Sequence, residues 1–295
     1  ADGSPWDAAT AGSAPYILAL QWERLLADLA AARWAAGPVP IDLLGYSRGA
    51  ALARHFANQI ADQVRNGRFW TRDALLGVVT ACVDLRFMGL FDTVAQFGIL
   101  GSGNAAYDFT VSDAWHWVAH AVALHELRWL FPLVSLEGSP GGNFVEAPFV
   151  GAHGDIGGGY LAEAGTPAGD SGDLSDVALN WMHWQARTAG VPLEELPPEA
   201  QRVDQPVLHD PRPAGQRNDA MLPGGDRRID DASGATLVRR QHNHPRYGQQ
   251  ARQATESFID RLPGWMTADP TAVGVVDMQA YRQWLAREVG YRQAP

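Results

Sequence analysis

The segment Gly45-Tyr46-Ser47-Arg48-Gly49 constrains the fold more than any other feature of the chain. It closes a short apolar run, Ile41-Asp42-Leu43-Leu44. It then opens an alanine-rich stretch in which Ala50, Leu52, Ala53, Phe56 and Ile60 recur at helical spacing. A serine between two glycines at a strand-to-helix turn is a nucleophile elbow. The turn is tight enough that a side chain two positions either way is expected to strike neighbouring backbone, so both flanks are glycine. The serine takes a strained conformation, its hydroxyl stands above the sheet, and the Arg48 N–H faces the place where an oxyanion would develop. The competing reading is an ordinary Gly-Ser turn in an α/β protein. The strand before the motif and the helix after it favour the elbow.

A chain of 295 residues fits one large α/β domain, or one domain with an appendage. The net charge of −10 opposes attraction to nucleic acid and charge-driven binding to anionic membranes, so no nucleic-acid partner is expected. Every basic side chain is arginine, and 11 tryptophans imply large rigid contact surfaces. Cys82 stands alone, which excludes an intrachain disulfide. No apolar run is long enough to span a bilayer and no signal peptide is visible.

Helical spacing is expected over 16–34, 115–130, 174–190 and 275–289, with Asp173 as the cap of the third of these. Short strands are expected at 75–82, 87–91 and 146–150, followed by a glycine-rich loop at 151–159. This alternation predicts an α/β-hydrolase-like, mainly parallel sheet with helices on both faces. Residues 1–190 form the expected catalytic core. Residues 191–295 form an irregular excursion and a helical C-terminal part packed on the core, facing a membrane or a partner.

A serine hydroxyl at neutral pH needs a neutral imidazole to take its proton and a carboxylate to orient that imidazole. Elbow-type hydrolases supply them in the order Ser, Asp or Glu, His, on loops beyond strand ends. Asp92 follows the apolar run 87–91 and suits the acid role, or equally caps a following helix. Asp84 competes with it, although Arg86 is placed to pair with Asp84. Among the histidines, His153 stands apart in Gly151-Ala152-His153-Gly154-Asp155-Ile156-Gly157-Gly158-Gly159, where small neighbours permit close approach to the elbow. His209, His242 and His244 compete from the C-terminal third. A phosphate-cradling loop is the other reading of 151–159, but no Gly-Lys-Ser/Thr ending is present. His116 and His120 lie four apart without a completing ligand pattern, so no metal site is expected. Phe97-Gly98-Ile99-Leu100-Gly101 with Trp115 and Trp117 either lines an acyl groove or lid, or packs in the core.

Five blocks occur together: GYSRGAALARHFAN at 45–58, FMGLFDTVAQFG at 87–98, HAVALHELRWLF at 120–131, VGAHGDIGGGY at 150–160 and LSDVALNWM at 174–182. In this order the chain resembles the catalytic domain of type VI secretion lipase effectors, in the subfamily whose elbow reads Gly-Phe/Tyr-Ser-Arg-Gly-Ala. The resemblance covers roughly 40–190. It implies an α/β-hydrolase phospholipase, made in a bacterial cytoplasm and injected into rival cells, where it degrades membrane phospholipid. It implies Ser47 as nucleophile, Asp92 as acid and His153 as base, with no cofactor. A secretion spike protein and a cognate immunity protein are the implied partners. A soluble carboxylesterase or thioesterase, and a non-catalytic hydrolase-like binding module, are the alternatives.

The chain departs from the pattern at its start. Family members usually open on an apolar strand ending in Asp-Gly-Thr, a natural source of the second oxyanion donor. Here Ala1-Asp2-Gly3-Ser4 opens the sequence, and the expectation is that the preceding strand lies outside it. Gly3 or Ser4 is therefore named as that second donor beside Arg48, and Asp155 either orders the His153 loop by accepting backbone N–H groups or is a solvent-exposed loop residue.

Overall fold

The computed structural model describes residues 10–32, 34–160, 173–212, 226–263 and 269–295. In chain order the elements are α1 (Ala14–Ala31), β1 (Val39–Tyr46), α2 (Arg48–Asp62), β2 (Val64–Arg65), β3 (Arg68–Asp73), β4 (Gly77–Phe91), β5 (Trp117–Ala123) and β6 (Leu133–Val134). They continue with β7 (Phe144–Phe149), α3 (His153–Gly157), α4 (Leu174–Thr188), β8 (Val207–His209), β9 (Ile229–Asp230) and β10 (Thr236–Val238). The last are α5 (Tyr247–Ser257), β11 (Ile259–Arg261), β12 (Ala272–Val276) and α6 (Met278–Glu288).

The main sheet is mixed, which corrects the mainly parallel expectation. Strand β4 pairs in parallel with β1 and β5, and β5 with β7, while β2, β3 and the first half of β4 form an antiparallel meander. The two runs expected as separate strands at 75–82 and 87–91 are one 15-residue strand. Polar Asp84 and Arg86 interrupt its apolar pattern, and the β1–β4 register shifts at Ile41/Asp42, skipping Arg86. That leaves Arg86 free to reach Asp42, with Nε to Oδ1 at 2.9 Å, while Asp84 pairs with His116 instead.

Alternate residues of β4 divide between two buried clusters. Met88 and Leu90 join Leu26, Leu29, Ala57 and Ile60 from α1 and α2. Phe87 joins Trp181 and Met182 of α4 together with Tyr281 and Trp284 of α6. Glycine at 89 is required by the second contact, since a β-carbon there would sit 2.8 Å from Met182 Sδ. Helix α4 begins as its sequence directs: Asp173 accepts from Ser175 N, and Asp176 accepts in turn from Asp173 N.

Three expectations are corrected. The stretch 115–130 holds strand β5, not a helix, so His116 and His120 do not share a helix face. The segment 275–289 is the end of β12 followed by α6. The part after 190 contains strands as well as helices, in two three-stranded sheets, β10-β9-β6 and β11-β12-β8. One of these takes β6 from before residue 190, and residues from both sides of 190 share one buried cluster.

Candidate active site

Parallel strands β1, β4, β5 and β7 end at one rim, the side on which open α/β sheets place ligands. The chain segments leaving them are tied to one another by backbone hydrogen bonds. Ser47 N donates to Phe91 O at 3.0 Å, Asp92 N to Ala121 O at 2.7 Å, and Leu124 N to Phe149 O at 2.9 Å. Ser47, Asp92 and His153 all leave from this rim.

Ser47 has φ 59° and ψ −129°, a strained backbone for a residue with a β-carbon. The turn needs Gly45, where a β-carbon would lie 2.6 Å from both Ala50 Cα and Gly49 O. Gly49 differs from expectation, since a β-carbon there would meet no described atom within 4 Å. Arg48 is the first residue of α2, so its N–H belongs to the positive end of that helix. Gly3 and Ser4 lie outside the described residues.

No helix follows Asp92, so it caps nothing. Its backbone also has a positive φ of 39°. Its fully buried carboxylate accepts four hydrogen bonds. His153 Nδ1 lies 2.7 Å from Oδ2 and Ala123 N 2.9 Å from Oδ1. Arg227 completes the set, with Nη1 2.7 Å from Oδ2 and Nη2 2.9 Å from Oδ1. Burial opposes the charge, but Arg227 and then His153 outweigh it and hold the carboxyl far below the usual carboxylate range. Because an ionised carboxylate only accepts, His153 Nδ1 carries a proton toward Asp92, and Nε2 is the ring nitrogen on the far side from it.

The glycine-rich run 151–159 forms the short helix α3 at its centre, not a loop throughout, and His153 opens it. Buried Glu126 accepts from His153 N at 3.2 Å and is gripped by Arg128, with Nε to Oε1 at 2.9 Å. The Tyr46 ring stacks on the imidazole with centroids 4.6 Å apart, and its hydroxyl donates to His153 O at 3.1 Å. Burial, then the Asp92 charge, hold that phenol well above its ordinary value, so it stays a donor. A β-carbon at Gly157 would collide with the Tyr46 ring, which explains one glycine of the run. Tyr46 thus couples the elbow to the histidine segment. Among the described residues no hydrogen bond joins the Ser47 hydroxyl directly to the His153 ring.

Asp155 accepts from Ala152 N at 2.9 Å and also from His209, whose Nδ1 is 2.6 Å from Oδ1. The rival histidines are engaged elsewhere: His209 with Asp155, His242 with Asp226, and His244 stacked on Tyr247. His120 is buried against Glu146 at 2.8 Å. Among the described residues, no group of three or more His, Cys, Asp or Glu is arranged to hold a metal.

A groove of about 570 Å³ opens beside Ser47. Ile17 and Leu18 of α1, Leu52 and Phe56 of α2, and Phe97 give it apolar walls. Phe97 therefore lines a groove, as one reading of 97–101 expected. Trp115 does not, being fully buried in the core, and Trp117 donates to Gln185 at 2.8 Å. Sequence reasoning missed Arg227, Glu126 and Tyr46. Tyr46 lay inside the motif itself, and Glu126 followed a strand end, which was the available signal for it.

The rim defines a mixed α/β protein with a serine elbow and an Asp-His pair at the strand ends and an apolar groove beside Ser47. Residues 72–185 match the family described as T6SS, phospholipase effector Tle1-like, catalytic domain. Asp92 and His153 fall within that match; Ser47 precedes it and Arg227 follows it. Among solved structures, the chain is similar to an uncharacterized protein from Pseudomonas aeruginosa, 28% identical, over 56% of this chain and 26% of that one, with a TM-score of 0.42. It is also similar to the Tle1 effector bound to the VgrG spike of the type 6 secretion system, 31% identical, over 44% of this chain and 26% of that one, with a TM-score of 0.32. The chain thus spans about a quarter of each of these two structures. A search of curated proteins finds no match.

Proposed function

We propose that this chain is the catalytic part of a serine-dependent phospholipase on an α/β-hydrolase scaffold. The observation that carries the reading is the strained Ser47 elbow sharing one sheet rim with the His153–Asp92 pair, at the mouth of an apolar groove. His153 Nε2 takes the proton of Ser47 as Oγ attacks an acyl-ester carbonyl. Asp92 holds the tautomer and stabilises the imidazolium. The Arg48 N–H, at the start of α2, donates to the oxyanion, and one such donor is worth about 3 kcal/mol. His153 then gives its proton to the departing lysolipid oxygen. Water, deprotonated by the same imidazole, cleaves the acyl-enzyme and releases the fatty acid. No step calls for a metal or an organic cofactor.

The apolar walls favour a long acyl chain over the small acyl groups of a soluble esterase. The family description supports delivery by a type VI apparatus into a target cell. A spike protein as carrier, an immunity protein as antagonist and an antibacterial role belong to this proposal. So does the division into a core at 1–190 and a partner- or membrane-facing part at 191–295. Among the described residues no helix is long and apolar enough to cross a membrane. The test is product analysis on phosphatidylcholine vesicles with wild type beside Ser47→Ala. The reading expects fatty acid and lysolipid from wild type, and a loss of about 10³-fold or more in the variant. Turnover of short p-nitrophenyl esters with none of vesicles points to the esterase alternative. Equal activity of the variant removes serine from the mechanism.

A further inference from the structure

The triad reading accounts for three side chains and leaves a fourth unexplained. Arg227 is fully buried, stands two residues before β9, and meets both oxygens of Asp92, sharing Oδ2 with His153 Nδ1. All of its donors that reach described partners are specified. Nη1 and Nη2 fork onto the two oxygens of Asp92 at 2.7 and 2.9 Å, and Nη2 also meets Ala123 O at 2.6 Å. Nε donates to Gln241 Oε1 at 2.7 Å, and Gln241 Nε2 is anchored on Leu124 O at 2.8 Å. A parallel fork of this kind fixes the carboxylate plane as well as its position. The Ala123 N–H, at 2.9 Å, holds the same carboxylate from the end of β5.

The charges around His153 come in matched pairs. Glu126, which touches the His153 backbone, is paired with Arg128; Asp155, on the same short helix, is paired with His209; Asp92 is paired with Arg227. Tyr46, stacked on the ring, is held as a neutral phenol. Without Arg227, the nearest buried negative charge would have only the imidazole to balance it. The ring would then be drawn into the protonated form, which cannot act as a base.

We propose that Arg227 is a positioning residue of the triad: its fork sets the Asp92 plane that orients His153, and its charge offsets the pull of Asp92 on the imidazole proton. This rests on the serine-hydrolase reading and assigns to the region after residue 190 a part in that site. The cost is a weaker pull of Asp92 on the imidazolium formed during attack. The gain is a base that remains available as the medium turns acidic.

The experiment is the second-order rate at which a fluorophosphonate probe labels Ser47, measured from pH 4 to 9 for wild type, Arg227→Lys and Arg227→Gln. Lysine keeps the charge and loses the fork. Its rate is expected to fall about 10²-fold at every pH, as misplacement of the base would cause, with the pH of half-maximal rate unchanged. Glutamine loses both, so its half-maximal point is expected to move upward by about one pH unit as well. A merely structural arginine would lower the amount of folded protein without moving that midpoint. Thermal melts identify the folded fraction, and if Arg227→Gln does not fold, Arg227→Met, also uncharged, supplies the midpoint while Arg227→Lys tests the fork. Labelling of Arg227→Lys within twofold of wild type, or a glutamine profile that superimposes on wild type after scaling, overturns the proposal. Absence of labelling in wild type overturns the serine-hydrolase reading itself, which keeps the two failures apart.

Discussion

Replacing Asp92 with asparagine perturbs the site at its most connected atom group while leaving its shape unchanged. The carboxylate accepts from Ala123 N, His153 Nδ1 and both terminal nitrogens of Arg227, with every group in the ion pair fully buried. An asparagine oxygen in the Oδ1 position keeps Ala123 N and Arg227 Nη2. Its NH2 group then faces His153 Nδ1 and Arg227 Nη1, two donors. The imidazole escapes by moving its proton to Nε2, which is the wrong tautomer for a base, and a cost of about 10⁴-fold in turnover follows. Arg227 has no such escape. An unpaired buried guanidinium costs about 3–5 kcal/mol, which for a chain of this size corresponds to a melting temperature lower by roughly 10 °C.

The pH dependence follows with a definite sign. The Asp92 carboxyl is depressed in the folded state, so it releases its proton more readily there than in the unfolded chain. Its contribution is complete above the unfolded value of about 3.9 and is lost as pH falls toward the folded value. The variant therefore loses less stability than wild type on acidification below about pH 4. Differential scanning calorimetry at pH 7 and pH 3.5, with p-nitrophenyl ester hydrolysis at pH 7, measures all three effects. A variant that hydrolyses within tenfold of wild type, or melts at the same temperature, refutes the argument from this network.

Other outcomes are expected from particular contacts. Gly157→Ala drives a methyl into the Tyr46 ring and should lower stability by about 1–3 kcal/mol together with turnover, read by urea unfolding and ester hydrolysis; a neutral effect would show that α3 and the elbow are not packed together. Ile17→Trp fills the groove beside Ser47 and should reduce hydrolysis of long-chain esters about tenfold more than that of butyrate esters; equal losses would mean the acyl chain lies elsewhere. Glu146 is opposed by burial but held down by His120 and Tyr247, from 4.5 to about 2, so its stabilisation is present above pH 4.5 and lost as pH falls toward 2. That shift is worth about 3 kcal/mol, and Glu146→Gln should flatten the acid-unfolding curve in that window; an unchanged curve would contradict the assignment.

The elbow was readable because its determinants are local: an apolar strand, the close-packed Gly45 and a periodic helix lie within about twenty residues. Asp92 and His153 were readable as residues at strand ends, and the five-block resemblance chose them among the competing groups; their 2.7 Å contact spans 61 positions and no local pattern encodes it. Strand β5 was misread because Val118 to Ala123 is buried on both faces, so the alternation that marks a half-exposed strand is missing. The opposite problem hid the length of β4, where polar residues at a bulge interrupt one continuous strand. Glycines at 151, 154 and 157 were read as loop formers, yet at 154 and 157 they make room for the Tyr160 and Tyr46 rings against a short helix. Arg227 was beyond reach. It sits among Asp, Arg and Gly in a tract without periodicity, and its partner Asp92 lies 135 positions away.

The account stands or falls on the reactivity of one hydroxyl. Incubation with a fluorophosphonate followed by peptide mapping should find a single adduct, on Ser47, that is absent from Ser47→Ala and strongly reduced in folded His153→Ala. A folded wild-type protein that acquires no adduct, or acquires it on another residue, contradicts the account.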